Sequence, residues 1–208
     1  MTTAEELGVV ADYEYQTKRV MLVPYTKVTR VHLPEDLLVR LYRITRDDQL
    51  LEISFPGMEM DLVKFVSFMA PLAVQILCVR STEGVLVPAG YGYVIGSDGV
   101  DGARTARIGF VFLRQYHGTK EIRDLGMFLA AWWFDKLRVD VLYGTMLKRN
   151  HIGQNFARRR FGFRVLCELP KFFPVNGRLE DGCLVCLEKA TFMPYYQQWK
   201  NTLELNCG

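Results

Sequence analysis

Residues 122–137 constrain this chain more than any other stretch. They carry Leu125, Met127, Phe128, Leu129, Trp132, Trp133, Phe134 and Leu137. The spacing predicts a helix, but one that is apolar almost all round instead of along one stripe. Such a helix has no wide side to turn to water. It needs a sheet against one flank and a second element, or another protein, against the other. Trp132 and Trp133 sit about 100° apart on the helix, so one flat surface cannot cover both. A helix buried between layers points to an α/β architecture. Two covers are available: an earlier helix, through Leu37 and Leu41, or the same surface of a second copy. The tail Met193-Pro194-Tyr195-Tyr196-Gln197-Gln198-Trp199 adds a further aromatic surface, and the expectation is a self-associating protein.

The chain has 208 residues, enough for one good core, and reads as a single domain. Its formal charge of +3 gives no mandate for a nucleic acid or an anionic membrane as partner. Apolar runs are broken by charge before the roughly 18 residues that a membrane span needs. The opening Met1-Thr2-Thr3-Ala4-Glu5-Glu6 lacks the basic flank and apolar stretch of a signal peptide, so the expected compartment is the cytoplasm. Five cysteines, an odd number in apolar surroundings, read as reduced core thiols. Cys183 and Cys186 spell C-x-x-C inside a strand-like segment. A strand turns thiols three apart to opposite faces, and no second ligand pair follows at metal spacing, so no metal site is expected.

Along the chain, residues 1–16 read as an arm and Arg19–Val31 as a first strand. Pro34, Glu35 and Asp36 open a helix with Leu37, Leu38, Leu41 and Ile44 on one face. A shorter helix is predicted from about Met60 to Met69. Ala73–Ser81 and Leu86–Ile95 are strands around a Glu83-Gly84 turn. Gly96-Ser97-Asp98-Gly99 reads as the next turn, before a strand from about Thr105 to Arg114. After the buried helix come a strand (Val139–Met146), a short helix (Gly153–Arg160) and two strands (Phe163–Leu169 and Cys183–Glu188). Asn176-Gly177, a favoured hairpin dipeptide, lies between those strands. Phe192–Leu205 is predicted to be a last helix, and residues 192–208 a C-terminal tail.

This order of elements resembles the GNAT (general N-acetyltransferase) superfamily. The residues from Thr105 to Glu188 carry the likeness. Ile108-Gly109-Phe110-Val111-Phe112-Leu113-Arg114 looks like the family's central strand, whose backbone pairs with the pantetheine arm of acetyl-CoA. Gln115, Tyr116, His117, Gly118, Thr119 and Lys120 stand where the family's pyrophosphate loop belongs. Asn150 and Phe161-Gly162-Phe163 look like its "N … G-F" ending, with Gly153 three residues past the asparagine. The resemblance implies a central, mostly antiparallel sheet with helices on both faces. It implies acetyl-CoA as co-substrate, with Val111, Phe112, Leu113, Gln115, His117, Gly118, Thr119, Lys120 and Asn150 as its contacts, and a small-molecule or protein amine as acceptor. The loop chemistry agrees: free amides at a helix N-terminus attract anions, and a glycine lets the backbone come close to a phosphate.

The chain departs from the family at the chemistry. Lys120 falls where the loop wants a small residue. No carboxylate lies between Ala103 and Lys120 to deprotonate an amine. The helix after Asn150 has no tyrosine to protonate a leaving thiolate. The remaining acid–base candidates are Tyr91, Tyr93, His117 and Tyr143; Asp140 reads as the solvent end of a strand. Arg158-Arg159-Arg160 cannot form one stripe on a helix and reads as a solvated face, so nucleic acid is not expected. Two readings follow: an N-acetyltransferase for an unknown amine, or a GNAT-fold protein without catalysis that binds or builds. Some phage-encoded GNAT-like proteins are similarly divergent, which would make the second reading a particle-associated one.

Overall fold

The structure is a computed structural model and describes residues 13–14, 20–25, 35–80, 86–100 and 103–205. Most of the expected arm, the flanks of the first strand, Pro34 and the Glu83-Gly84 turn lie outside these residues. The strands are β1 (Tyr13–Glu14), β2 (Val20–Tyr25), β3 (Ala73–Arg80), β4 (Leu86–Val100), β5 (Ala103–Phe112), β6 (Val141–Leu147), β7 (Arg164–Val175) and β8 (Arg178–Glu188). The helices are α1 (Glu35–Asp47), α2 (Leu51–Ser54), α3 (Leu62–Met69), α4 (Lys120–Lys136), α5 (His151–Phe156) and α6 (Lys189–Leu205). One mixed sheet runs in the order β1-β2-β3-β4-β5-β6-β8-β7. It is mostly antiparallel, with β5 and β6 parallel, and helices cover both faces.

Two compact units make up the chain, and strands β4 and β5 run through both. The first holds the described residues up to Ser54, with Glu59–Ile95 and Gly109–Leu125. Its core is built where α1 and α3 meet the tyrosines of β4. Leu38, Leu41, Phe65 and Met69 are buried there. Phe65 meets Tyr91 edge-on at 6.4 Å, and Phe68 meets Tyr93 at 6.0 Å. Helix α1 closes on Gln49, which takes a left-handed φ of 56°. Gln49 N–H returns to Arg46 O and Leu50 N–H to Thr45 O, a Schellman ending with Leu50 buried behind it.

The second unit holds Phe55–Met58, Gly96–Ile108 and Gly126–Gly208. Here the apolar helix has a cover that the sequence reading did not name. Neither α1 nor a second copy is needed against Phe128 and Phe134, because α6 covers them. Phe128 meets Trp199 edge-on at 5.4 Å and Phe134 meets Phe192 at 5.4 Å. Phe192 and Trp199 are themselves buried. Part of the tail's aromatic surface is thus buried within the chain, while Met193 and Tyr195 stay exposed.

Three further boundaries differ from expectation. The Gly96–Gly99 turn is absent, and β4 runs on to Val100. Leu113 and Arg114 are not strand, because β5 stops at Phe112 and a 3-10 turn follows at Arg114–Tyr116. The last hairpin is far longer than predicted, with Asn176-Gly177 at its tip in left-handed conformation.

Candidate functional site

The segment from Gly109 to Leu125, all within the first unit, links strand, turn and helix. Leu113 N–H donates to Ala89 O of β4 at 2.9 Å. Backbone groups alternate along a strand, so Phe112 turns its carbonyl to the opposite edge. On that edge the β5–β6 ladder comprises Thr105↔Val141, Ala106↔Leu142 and Arg107↔Tyr143 and stops there, although β5 continues to Phe112. Gly109 is required by packing: a Cβ there would run into the ring of Tyr93.

The turn after β5 is pinned to the end of α1. Arg114 N–H donates to the Asp48 carboxylate at 2.5 Å, and its guanidinium Nε donates to Asp48 O at 2.7 Å. A cation at a helix C-terminus also matches the helix dipole. Tyr116 N–H then closes on Leu113 O, His117 N–H on Arg114 O and Thr119 N–H on Tyr116 O. Thr119 caps α4: its hydroxyl donates to Tyr116 O at 2.8 Å and accepts Ile122 N–H at 3.4 Å. Asp48 and Arg114 were not singled out from sequence. We expect Asp48→Ala to cost about 1 kcal/mol in stability, the scale of one such hydrogen bond. If the turn serves a ligand, the same change should raise KM for that ligand more than it lowers kcat; denaturant melts and steady-state kinetics check both.

Gly118 has φ of 81°, and a Cβ there would meet nothing within 4 Å. Its surface is therefore open while its backbone needs glycine. With His117 and Thr119 amides committed to the turn, no hydrogen bond among the described residues takes up the amides of Gly118 and Lys120. They sit at the positive end of a 17-residue helix. Gln115, His117, Gly118 and Lys120 are exposed and Thr119 is half-buried. Val111, Phe112 and Leu113 are buried, so only their backbone is offered. His117 bends back, its Nε2 2.8 Å from Phe112 O. Tyr116 holds its hydroxyl proton more tightly than usual, through burial first and then the neighbouring Cys78 and Glu121.

Asn150 belongs to the second unit, apart from this segment in the chain's division. Its Oδ1 accepts Gly153 N–H at 3.0 Å and caps α5. A Cβ on Gly153 would strike the Asn150 amide, so the asparagine–glycine spacing is a capping requirement. Phe161-Gly162-Phe163 ends a π-helical turn (Ala157–Phe161), where Gly162 takes φ of 80° and the Phe161 ring fills the space a side chain on Gly126 would need.

The acid–base candidates fare unevenly. Tyr91 is fully buried in the core, and its hydroxyl pairs with Thr45 Oγ1 at 2.9 Å. Burial holds its pKa well above the ordinary tyrosine value. Tyr93 is buried against Phe68 and over Gly109. Tyr143 is half-buried on β6 between Arg107 and Cys186 in the ladders. Asp140 accepts Arg104 N–H at 3.1 Å and fixes the start of β6. Tyr91→Phe should therefore lower stability by about 1 kcal/mol and leave any turnover unchanged; chemical denaturation beside a rate measurement tests this. Among the described residues no three metal-ligating side chains gather, and no helix is long and apolar enough to cross a membrane.

No protein-family model matches the chain, and no curated protein sequence matches it. Solved structures do match its fold. One is RimJ from Mycobacterium smegmatis in complex with CoA-disulfide, at 17% identity and a TM-score of 0.62, covering 82% of each chain. Another is a GCN5-related N-acetyltransferase from Brucella melitensis, at 16% identity and 0.64, covering 91% of this chain and 83% of that one. The fold is that of the GNAT acetyltransferases. Spermidine N-acetyltransferase from Vibrio cholerae, in complex with CoA and spermine, agrees at 13% identity and 0.62, over 84% of this chain and 98% of its own. At such identities the likeness establishes the GNAT fold alone. Within that fold, β5 holds the central position and the Gln115–Lys120 turn precedes the buried helix.

Proposed function

We propose that this chain binds acetyl-CoA and transfers its acetyl group to an amine. The observation that carries the reading is the loop at Gly118: a left-handed glycine with open space above it, beside two unclaimed amides at the start of α4. Two diphosphate oxygens suit such amides, in a helix dipole that favours negative charge. Exposed Lys120 adds a cation beside them. The outward backbone edge of β5 near Phe112 offers an extended ligand a strand to pair with. CoA-bound relatives of the same fold support the assignment.

Acetyl-CoA supplies an acetyl thioester activated toward amines. The protein's part is to hold that carbonyl beside a backbone donor and to keep the amine neutral. Leu113 N–H is spent on Ala89 O, so the donor belongs to the outward-facing residues of β5 and not to Leu113. Tyr91 and Tyr93 are packed away, and no carboxylate lies in Ala103–Lys120. An acceptor amine of low pKa reacts without a protein base, and this is the acceptor class we assign.

The same absences favour a second reading, a GNAT-fold module that binds without catalysing. Release of free thiol from acetyl-CoA across a panel of aryl and alkyl amines decides between them. Turnover with weakly basic amines supports the enzyme; cofactor binding with no turnover for any amine supports the module. Self-association and a phage-particle role remain our proposals for the module.

A further inference from the structure

His117 does not face solvent idly at the head of the loop. Its Nε2 lies 2.8 Å from Phe112 O, five residues earlier. A carbonyl only accepts, so Nε2 must carry the proton, and in the neutral ring Nδ1 is then the bare nitrogen. The bond spans the outward edge of β5, since Leu113 N–H is turned to Ala89 on the other side. An extended chain that pairs with that edge at Phe112 donates to Phe112 O. The imidazole already holds it.

We propose that His117 is a latch on the outward edge of β5: its ring occupies the Phe112 carbonyl in the free protein and swings out when an amide of the pantetheine arm takes its place. The inference rests on the acetyl-CoA reading above. The swing needs only rotation of the exposed His117 side chain, and the open space at neighbouring Gly118 leaves room for it. Two neighbouring amides, His117 N–H to Arg114 O and Thr119 N–H to Tyr116 O, hold the turn in place while the side chain moves. The latch selects for ligands that carry an amide-bearing arm and leaves purely phosphate ligands indifferent to it.

The test compares wild type, His117→Ala, which removes the latch, and His117→Gln, whose amide can still donate to Phe112 O. Nitrogen-15 shifts of free wild type should show Nε2 protonated, and that Nε2–H signal should change on saturation with acetyl-CoA. Calorimetry should find acetyl-CoA bound about fivefold more tightly by His117→Ala than by wild type, the ratio for one competing hydrogen bond, with His117→Gln near wild type. The armless probe 3′-phosphoadenosine 5′-diphosphate should bind wild type and His117→Ala alike. Binding only by His117→Ala would show a latch closed in wild type. Equal or weaker acetyl-CoA binding by His117→Ala, or an Nε2–H bond that persists in the complex, overturns the latch while leaving the cofactor reading standing. Failure of both ligands to bind any of the three proteins removes the cofactor reading and the latch with it.

Discussion

Replacing Phe192 with alanine should cost about 3–5 kcal/mol of stability, the range for deleting a buried aromatic side chain. Phe192 has no exposed surface and lies between Phe134 of α4, at 5.4 Å, and Tyr196, at 5.7 Å. Truncation leaves a cavity between α4 and α6. Because the cover comes from the same chain, the loss should appear as a lower denaturation midpoint that does not depend on protein concentration. If a second copy supplied the cover instead, the variant would keep its midpoint at high concentration and lose mass by light scattering. That outcome would support the self-association expected from the sequence.

Gly118→Asp should weaken acetyl-CoA binding on the order of 100-fold. Two penalties of about 1–2 kcal/mol each combine: a non-glycine residue held at φ of 81°, and a carboxylate beside phosphates. Gly118→Ala separates them. Its Cβ meets open space, so it carries the conformational cost alone and should fall between wild type and the aspartate variant. Both variants should keep most of their global stability, because the exposed residue can relax its φ in the free protein and meets the conformational cost on binding. Unchanged affinity in both would place the phosphates elsewhere on the protein.

The helix, the strands around it and their order were legible because each is encoded locally. The all-round apolar run of α4 has no other stable setting, and Asn176-Gly177 marks a tight hairpin by its backbone preference alone. The failures share a different cause. Gly96–Gly99 has turn chemistry, yet the chain stays extended to Val100 because pairing to a neighbouring strand outweighs local propensity. Pro170 and Pro174 disguised the length of β7. It is the edge strand, where proline is tolerated, and its register shifts between Leu169 and Phe173 around a left-handed Lys171. The helix α6 was legible, but its role was not, because its aromatic residues read equally well as a surface to be covered and as a cover for α4.

At the site, glycine chemistry was readable and partnerships were not. Gly118 announced its loop, but the Asp48–Arg114 clamp joins residues 66 apart, and a single sequence carries no trace of such a pairing. The family motif makes Asn150 a cofactor contact, and the structure adds a capping bond to α5 that the motif does not announce. Tyr91 shows a different ambiguity. On a glycine-rich strand a tyrosine can face either a cleft or a core, and only the Thr45 hydroxyl and the Phe65 ring reveal that it faces the core.

Titration of the full chain with acetyl-CoA in a calorimeter tests the central reading most directly. The expected result is saturable one-to-one binding that Gly118→Asp weakens on the order of 100-fold, as the two penalties above require. No heat and no saturation at millimolar acetyl-CoA, from protein shown to be folded, would contradict it and leave a GNAT fold put to some other use.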